Sequence, residues 1–134
     1  MGAVKPRIRR SPQQNEALIM QALMQANGPL SAYDIARVAS HESGVIVPGQ
    51  VYRTLERLIQ QRRVLRIEML NAYLPRPQSG HLCLICTICH DVSFIEAPQL
   101  QACVTQVSAA YRFTPSSGMI ETLCHCRACG EPTP

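Results

Sequence analysis

The chain has 134 residues, enough for one ordinary domain or two small ones, with 46% hydrophobic residues and a formal net charge of +4. No apolar run approaches the ~20 residues that a membrane-spanning helix needs, so no membrane partner is expected. The basic first ten residues also lack the apolar stretch of a secretory signal. Seven cysteines without an export signal point to a reducing cytoplasm, where thiols persist and bind metals.

In chain order, Pro12 opens a predicted helix that runs to about Ala26, with Leu18, Ala22 and Leu23 forming an apolar stripe. Asn27-Gly28-Pro29 stops it. Ser31 and Asp34 have the form of a cap with an acid three residues on, and begin a second helix through Ile35 and Val38. A loop is expected from His41 to Val47, around Gly44. Pro48 then precedes a third helix, about Gly49 to Gln61, with Val51, Leu55, Leu58 and Ile59 at i, i+4, i+7 and i+8 on one buried face.

The opposite face of that third helix presents Gln50, Arg53, Thr54 and Arg57, with Tyr52 at its edge. Such side chains donate to phosphates and base edges, and they lie near a helix start, where a helix-turn-helix protein reads a major groove. A β-rich run from Val64 to Met69, a turn at Asn71 and a second run from Ala72 to Leu74 make a hairpin. Three helices followed by a hairpin predict a winged helix-turn-helix domain over residues 1–76. The bland alternative is a solvated face on a small helical domain.

Pro75 to Gly80 carries two prolines and a glycine and reads as a boundary or hinge. Beyond it, His81–Cys86 and Asp91–Glu96 are predicted strands, Pro98 starts a helix, and Met119–Leu123 is a third strand. The helix carries Leu100, Cys103, Val104, Val107 and Tyr111 at 3–4 spacing, with Cys103 expected in the core. Three strands and one helix leave an edge and an apolar face, which a homodimer would cover.

Cys86-x-x-Cys89 and Cys126-x-x-Cys129 are matching pairs. Each C-x-x-C turn lets two thiolates converge on one ion, and two turns complete the tetrahedral S4 shell of a closed structural zinc site. The 36 residues between Cys89 and Cys126 exceed the spacing of a compact zinc ribbon, so the ion would tie the start of a sheet to the chain's end. Cys83 and Cys124 lie close enough in sequence to swap into the shell. All seven cysteines fall in residues 77–134, which carry two basic residues against four acids. Residues 1–76 carry 11 Lys and Arg against five acids. A basic half joined to a metal-binding half suits a polyanion-binding module with an attached sensor.

From about Ser11 to Gly130 the chain resembles the ferric uptake regulator family. The resemblance rests on Pro48 to Leu58, centred on Val51-Tyr-Arg-Thr-Leu55, then Cys86-x-x-Cys89, Glu121 and Cys126-x-x-Cys129. Leu30–Ile35 and Arg66–Tyr73 are most similar to the zinc uptake regulator branch. The resemblance implies an α+β protein with an N-terminal winged helix and a C-terminal α/β dimerisation domain over residues 77–134. It implies a bacterial repressor activated by metal, which as a homodimer would bind a double-stranded DNA operator and repress zinc uptake genes. It implies further that Tyr52 and Arg53 contact DNA and that Cys86, Cys89, Cys126 and Cys129 hold one structural Zn2+ per chain.

The sequence departs from its relatives at the regulatory metal. Leu65 and about Arg76 stand where that branch usually has a histidine and a cysteine, Phe94 where a glutamate is often found, and Cys124 where glycine is common. Nearby remain His81, Cys83, His90 and Glu96 as candidate ligands for a second, regulatory ion, with Cys124 and His125 beside the second pair. A thiolate with an imidazole would select zinc over harder ions. A second ion between the halves would fix the 75–80 hinge and set two winged helices at the spacing of successive major grooves. Rival readings are a repressor of the same fold answering to iron or to oxidative stress through thiols, and a metal-insensitive DNA-binding protein with structural zinc alone. A hydrolase would need an open zinc position, which four thiolates do not leave, so no enzyme is expected.

Overall fold

The computed structural model describes residues 9–116 and 119–130, apart from the side chains of residues 41–43. The chain divides into two compact units, Met1–Arg76 and Pro77–Pro134.

The first unit contains α1 (Pro12–Gln25), α2 (Ala32–Ser43), α3 (Pro48–Gln60), β1 (Val64–Ile67) and β2 (Ala72–Pro75). Ser11 caps α1 reciprocally: its Oγ accepts the Gln14 N–H at 3.2 Å, and Gln14 Oε1 accepts the Ser11 N–H at 2.8 Å. Ile19, Ala22 and Leu23 are the buried residues of α1, so Ile19 takes the place expected for Leu18. Ser31 Oγ accepts the Asp34 N–H at 3.1 Å and starts α2 as the sequence predicts. That helix runs through His41 to Ser43 rather than giving way to a loop at His41. Nothing before Gly44 breaks it, and Gly44 supplies the positive φ of 87° that ends it. Ser40 then straps the following loop down, its Oγ accepting the Ile46 N–H at 3.0 Å.

Ile19, Leu23, Ile35, Ile46, Val51, Leu55, Leu58, Val64 and Tyr73 form one buried cluster. Each fully buried aliphatic side chain contributes about 1.5–3 kcal/mol. β1 and β2 pair antiparallel, with Leu65 opposite Leu74 and Arg66 opposite Tyr73. Their turn uses Asn71 in the left-handed region at φ 48°, and the Asn71 side chain accepts from Arg66 at 2.9 Å. Tyr73 also exchanges two backbone hydrogen bonds with Leu30, at 2.9 and 2.7 Å. The hairpin is thereby sewn to the start of α2, completing a winged helix-turn-helix.

The second unit contains β3 (Leu82–Cys86), β4 (Val92–Ile95), α4 (Pro98–Ala110) and β5 (Ile120–Cys124). A 3-10 turn follows at Arg127–Cys129. The strand order is β4-β3-β5. β4 runs antiparallel to β3 and β5 parallel to it, with α4 in the crossover. Among the described residues of this unit, the buried apolar side chains are Cys83, Ile85 and Cys86. α4 buries none, and Cys103 is exposed rather than in a core. The apolar face of α4 exists as the spacing predicts, but among the described residues it stays largely exposed, with Val107 54% exposed and Tyr111 74%.

Candidate metal centre and nucleic-acid face

The two cysteine turns are built from backbone hydrogen bonds. In the first, the His90 N–H returns to the Cys86 carbonyl at 3.0 Å and the Cys86 N–H bonds the Asp91 carbonyl at 2.9 Å. In the second, the Cys129 N–H reaches the Cys126 carbonyl at 3.1 Å and the Gly130 N–H the Arg127 carbonyl at 3.3 Å. Each turn closes on a residue with positive φ, Gly130 at 86° and His90 at 61°. Only glycine adopts that region without steric cost, so His90 does locally what Gly130 does in the other turn. The parallel pairing of β3 with β5 brings the turns together. The Thr87 N–H donates to the Cys124 carbonyl at 3.0 Å, and the Cys126 N–H donates to Cys86 Sγ at 3.4 Å.

As a result the Sγ atoms of Cys86, Cys89, Cys126 and Cys129 lie within 4.8 Å of one another. The Cys89 and Cys126 sulfurs are 3.7 Å apart. That is too long for a disulfide. It matches the ~3.8 Å edge of a tetrahedron of sulfurs placed ~2.3 Å from a central zinc. The electrostatics agree. Backbone N–H groups of Cys89, Cys126 and Ile88 lower the Cys86 thiol to about 5. Cys129 is pushed up to about 12, first by its contact with the Cys126 thiol and then by burial. Four thiols so close do not all ionise unaided, and a bound dication is what makes four thiolates compatible.

The other candidate ligands are not gathered. Among the described residues, the thiol tetrad is the one group of three or more His, Cys, Asp or Glu whose ligand atoms lie this close. His81 Nδ1 accepts the Ala97 N–H at 3.0 Å. Cys83 is fully buried and lies three residues before Cys86, hence on the other face of β3. Burial, and then the Glu121 carboxylate, raise its thiol to about 11. His90 is held by the turn it closes, and Glu96 is exposed.

On α3 the structure sorts the predicted DNA-facing residues. Tyr52 is 40% exposed. Arg53 is exposed and turns back only weakly on its own helix, to the Gly49 carbonyl at 3.4 Å. Gln50 is half-buried, its Oε1 accepting the Val47 N–H at 3.4 Å. Thr54 is a correction: it is 1% exposed, and its hydroxyl donates to the Gln50 carbonyl at 2.8 Å. It sits between the buried Val51, Leu55 and Leu58 rather than on the outer face. Arg57 is also drawn inward, pairing with Glu16 at 3.3 Å. Sequence reasoning missed Glu16, because nothing in the local pattern of α1 signals an acid aimed at another helix.

No family model matches the chain. The zinc uptake regulation proteins of Escherichia coli (strain K12) and Shigella flexneri are each 28% identical to it over 129 residues. The matched region spans 92% of this chain and 74% of theirs. Among solved structures, a zinc uptake regulator complexed with zinc and DNA superimposes with a TM-score of 0.76 at 24% identity, covering 91% of this chain and 83% of that one. The holo form of XcZur gives 0.72 at 24% identity over 92% and 88%. The ferric uptake regulator of Francisella tularensis with iron gives 0.66 at 17% identity over 92% and 96%.

Proposed function

We propose that this chain, which belongs to the ferric uptake regulator family and is most similar to its zinc uptake regulator branch, is a metal-responsive DNA-binding repressor of zinc uptake genes. The observation that carries the reading is the thiol tetrad joining β3 to the end of β5. Cys86, Cys89, Cys126 and Cys129 would hold one structural Zn2+ per chain, a soft closed shell that suits zinc better than harder ions. Bound there, the ion supplies no catalytic chemistry, since four thiolates leave no position for water.

The winged helix of residues 1–76 supplies the DNA-binding surface. Tyr52 and Arg53 meet base edges and phosphate, Gln50 lies beside them, and Arg57 holds α3 to α1 behind them. The second unit supplies the dimer. The uncovered face of α4, together with Leu123 and Ile95 of the sheet, is apolar surface that a second copy would bury. Two copies would then present two recognition helices to successive major grooves of a double-stranded operator. No helix among the described residues is long and apolar enough to cross a membrane, which accords with a cytoplasmic regulator.

The thiol-oxidation reading is disfavoured at Cys83, which is buried and has its thiol raised to about 11, the opposite of a reactive thiolate. The proposed function is tested by titrating the purified protein against promoter DNA of a zinc uptake gene, with zinc and then with chelator. Tight, sequence-specific binding that requires zinc is expected. Equal binding in both conditions would leave a metal-insensitive DNA-binding protein.

A further inference from the structure

We infer that Cys124 is a reserve ligand of the tetrad, set in register with Cys86 so as to take that residue's place on the ion; this rests on reading the tetrad as a zinc site. β3 and β5 pair in parallel with Cys86 directly opposite Cys124. Residues paired in this way direct their side chains to the same face of the sheet, about one strand spacing apart. The chain from Cys124 to Cys126 is held against Cys86 and Thr87. The Thr87 N–H bonds the Cys124 carbonyl at 3.0 Å, and the Cys126 N–H bonds Cys86 Sγ at 3.4 Å.

Cys124 Sγ itself makes only a weak contact, to the Thr122 carbonyl of its own strand at 3.6 Å. A rotation about χ1 breaks that contact at little cost. The side chain is half-buried, neither sealed in a core nor loose in solvent. The other spare cysteines lack this placement. Cys83 lies on the opposite face of β3 and is fully buried beside Phe94 and Glu121. Cys103 is on α4.

The exchange balances with no reactant beyond water. The zinc–sulfur bond of Cys86 breaks and one to Cys124 forms. The Cys124 thiol proton passes to water and Cys86 departs as a thiolate facing the Cys126 N–H, so the shell keeps four thiolates and its charge. The site therefore has two alternative shells sharing Cys89, Cys126 and Cys129.

The test uses the full-length chain, with zinc per protein measured by mass spectrometry and transfer of zinc to a chromophoric chelator followed in time. C86A should retain one zinc per chain, whereas C129A and the double variant C86A/C124A should lose it. C124A should keep its zinc but release it several-fold faster than the wild type, because nothing recaptures the ion when Cys86 lets go. The conservative C86S, titrated with Co2+, keeps the inference testable if C86A does not fold: it should show the charge-transfer band of four thiolates, and C86S/C124S a weaker one. Loss of metal from both C86A and C86S while the wild type holds it would overturn the inference. A wild type without zinc would instead overturn the reading of the tetrad.

Discussion

Arg57 on α3 points back at Glu16 on α1, its Nε donating to Oε1 at 3.3 Å, while Arg63 approaches the other carboxylate oxygen at 3.7 Å. Gln61 adds a further donor at 3.4 Å. The Glu16 side chain is only 15% exposed, and a carboxylate so enclosed requires such partners. The face that the sequence marks for DNA is therefore divided, with Arg53 turned outward and Arg57 engaged in fastening two helices.

Replacing Arg57 should thus act mainly on folding. R57A should lower the stability of the first unit by about 1 kcal/mol, a value kept small because Arg57 is partly exposed and screened. R53A should leave stability unchanged and cost about 1–3 kcal/mol in operator affinity. Urea unfolding and fluorescence anisotropy on the same two proteins decide the matter. An R57A protein of normal stability with lost affinity would restore Arg57 to the DNA surface.

Gly49 lies in the first turn of α3, and a Cβ built there meets nothing within 4 Å. The fold gives no reason to avoid alanine, which favours a helix by up to about 1 kcal/mol over glycine. G49A should therefore raise the melting temperature of the first unit slightly. If the DNA backbone approaches this turn, the added methyl should also weaken operator binding. Unchanged affinity would argue that no backbone comes so near.

His90 occupies a left-handed position at φ 61°, where a side chain costs about 1 kcal/mol or more relative to glycine, partly offset by glycine's greater chain entropy. H90G should keep its zinc and be as stable as the wild type, or more so by a few tenths of a kcal/mol. A drop in metal content or in zinc-dependent DNA binding would show that His90 is a ligand after all.

Zinc binding should release protons, since thiols must ionise to bind. The Cys86 thiol is lowered to about 5 by the amides around it, so at neutral pH it is already a thiolate. Cys129, raised to about 12, must give up a proton. Fewer than four protons per zinc should therefore appear at pH 7. Affinity should fall as the pH drops, most steeply once Cys86 itself protonates near pH 5. Calorimetry in buffers of different ionisation enthalpy measures the number released. Release of four would mean that Cys86 is not pre-ionised.

Much of this architecture is legible in the residues. Ser11, Ser31, Pro12 and Pro48 mark helix starts because capping and ring chemistry are local, and the two C-x-x-C turns declare the tetrad for the same reason. What escaped is set by distant partners. Thr54 lies at the margin of the buried stripe of α3, where helical spacing alone does not say which way a short side chain turns. Only the packed neighbours draw it in. The face of α4 has the right spacing for a core, yet its exposure depends on what lies against it. His81 and Cys83 look like a ligand pair in sequence, but strand register aims Cys83 into the sheet's buried face and an amide occupies His81 Nδ1.

The claim on which the rest depends is that four sulfurs surround a single ion. X-ray absorption at the zinc edge of the purified protein measures this directly. Four sulfur neighbours at about 2.3 Å are predicted. A shell containing nitrogen or oxygen, or fewer than four sulfurs, would contradict it.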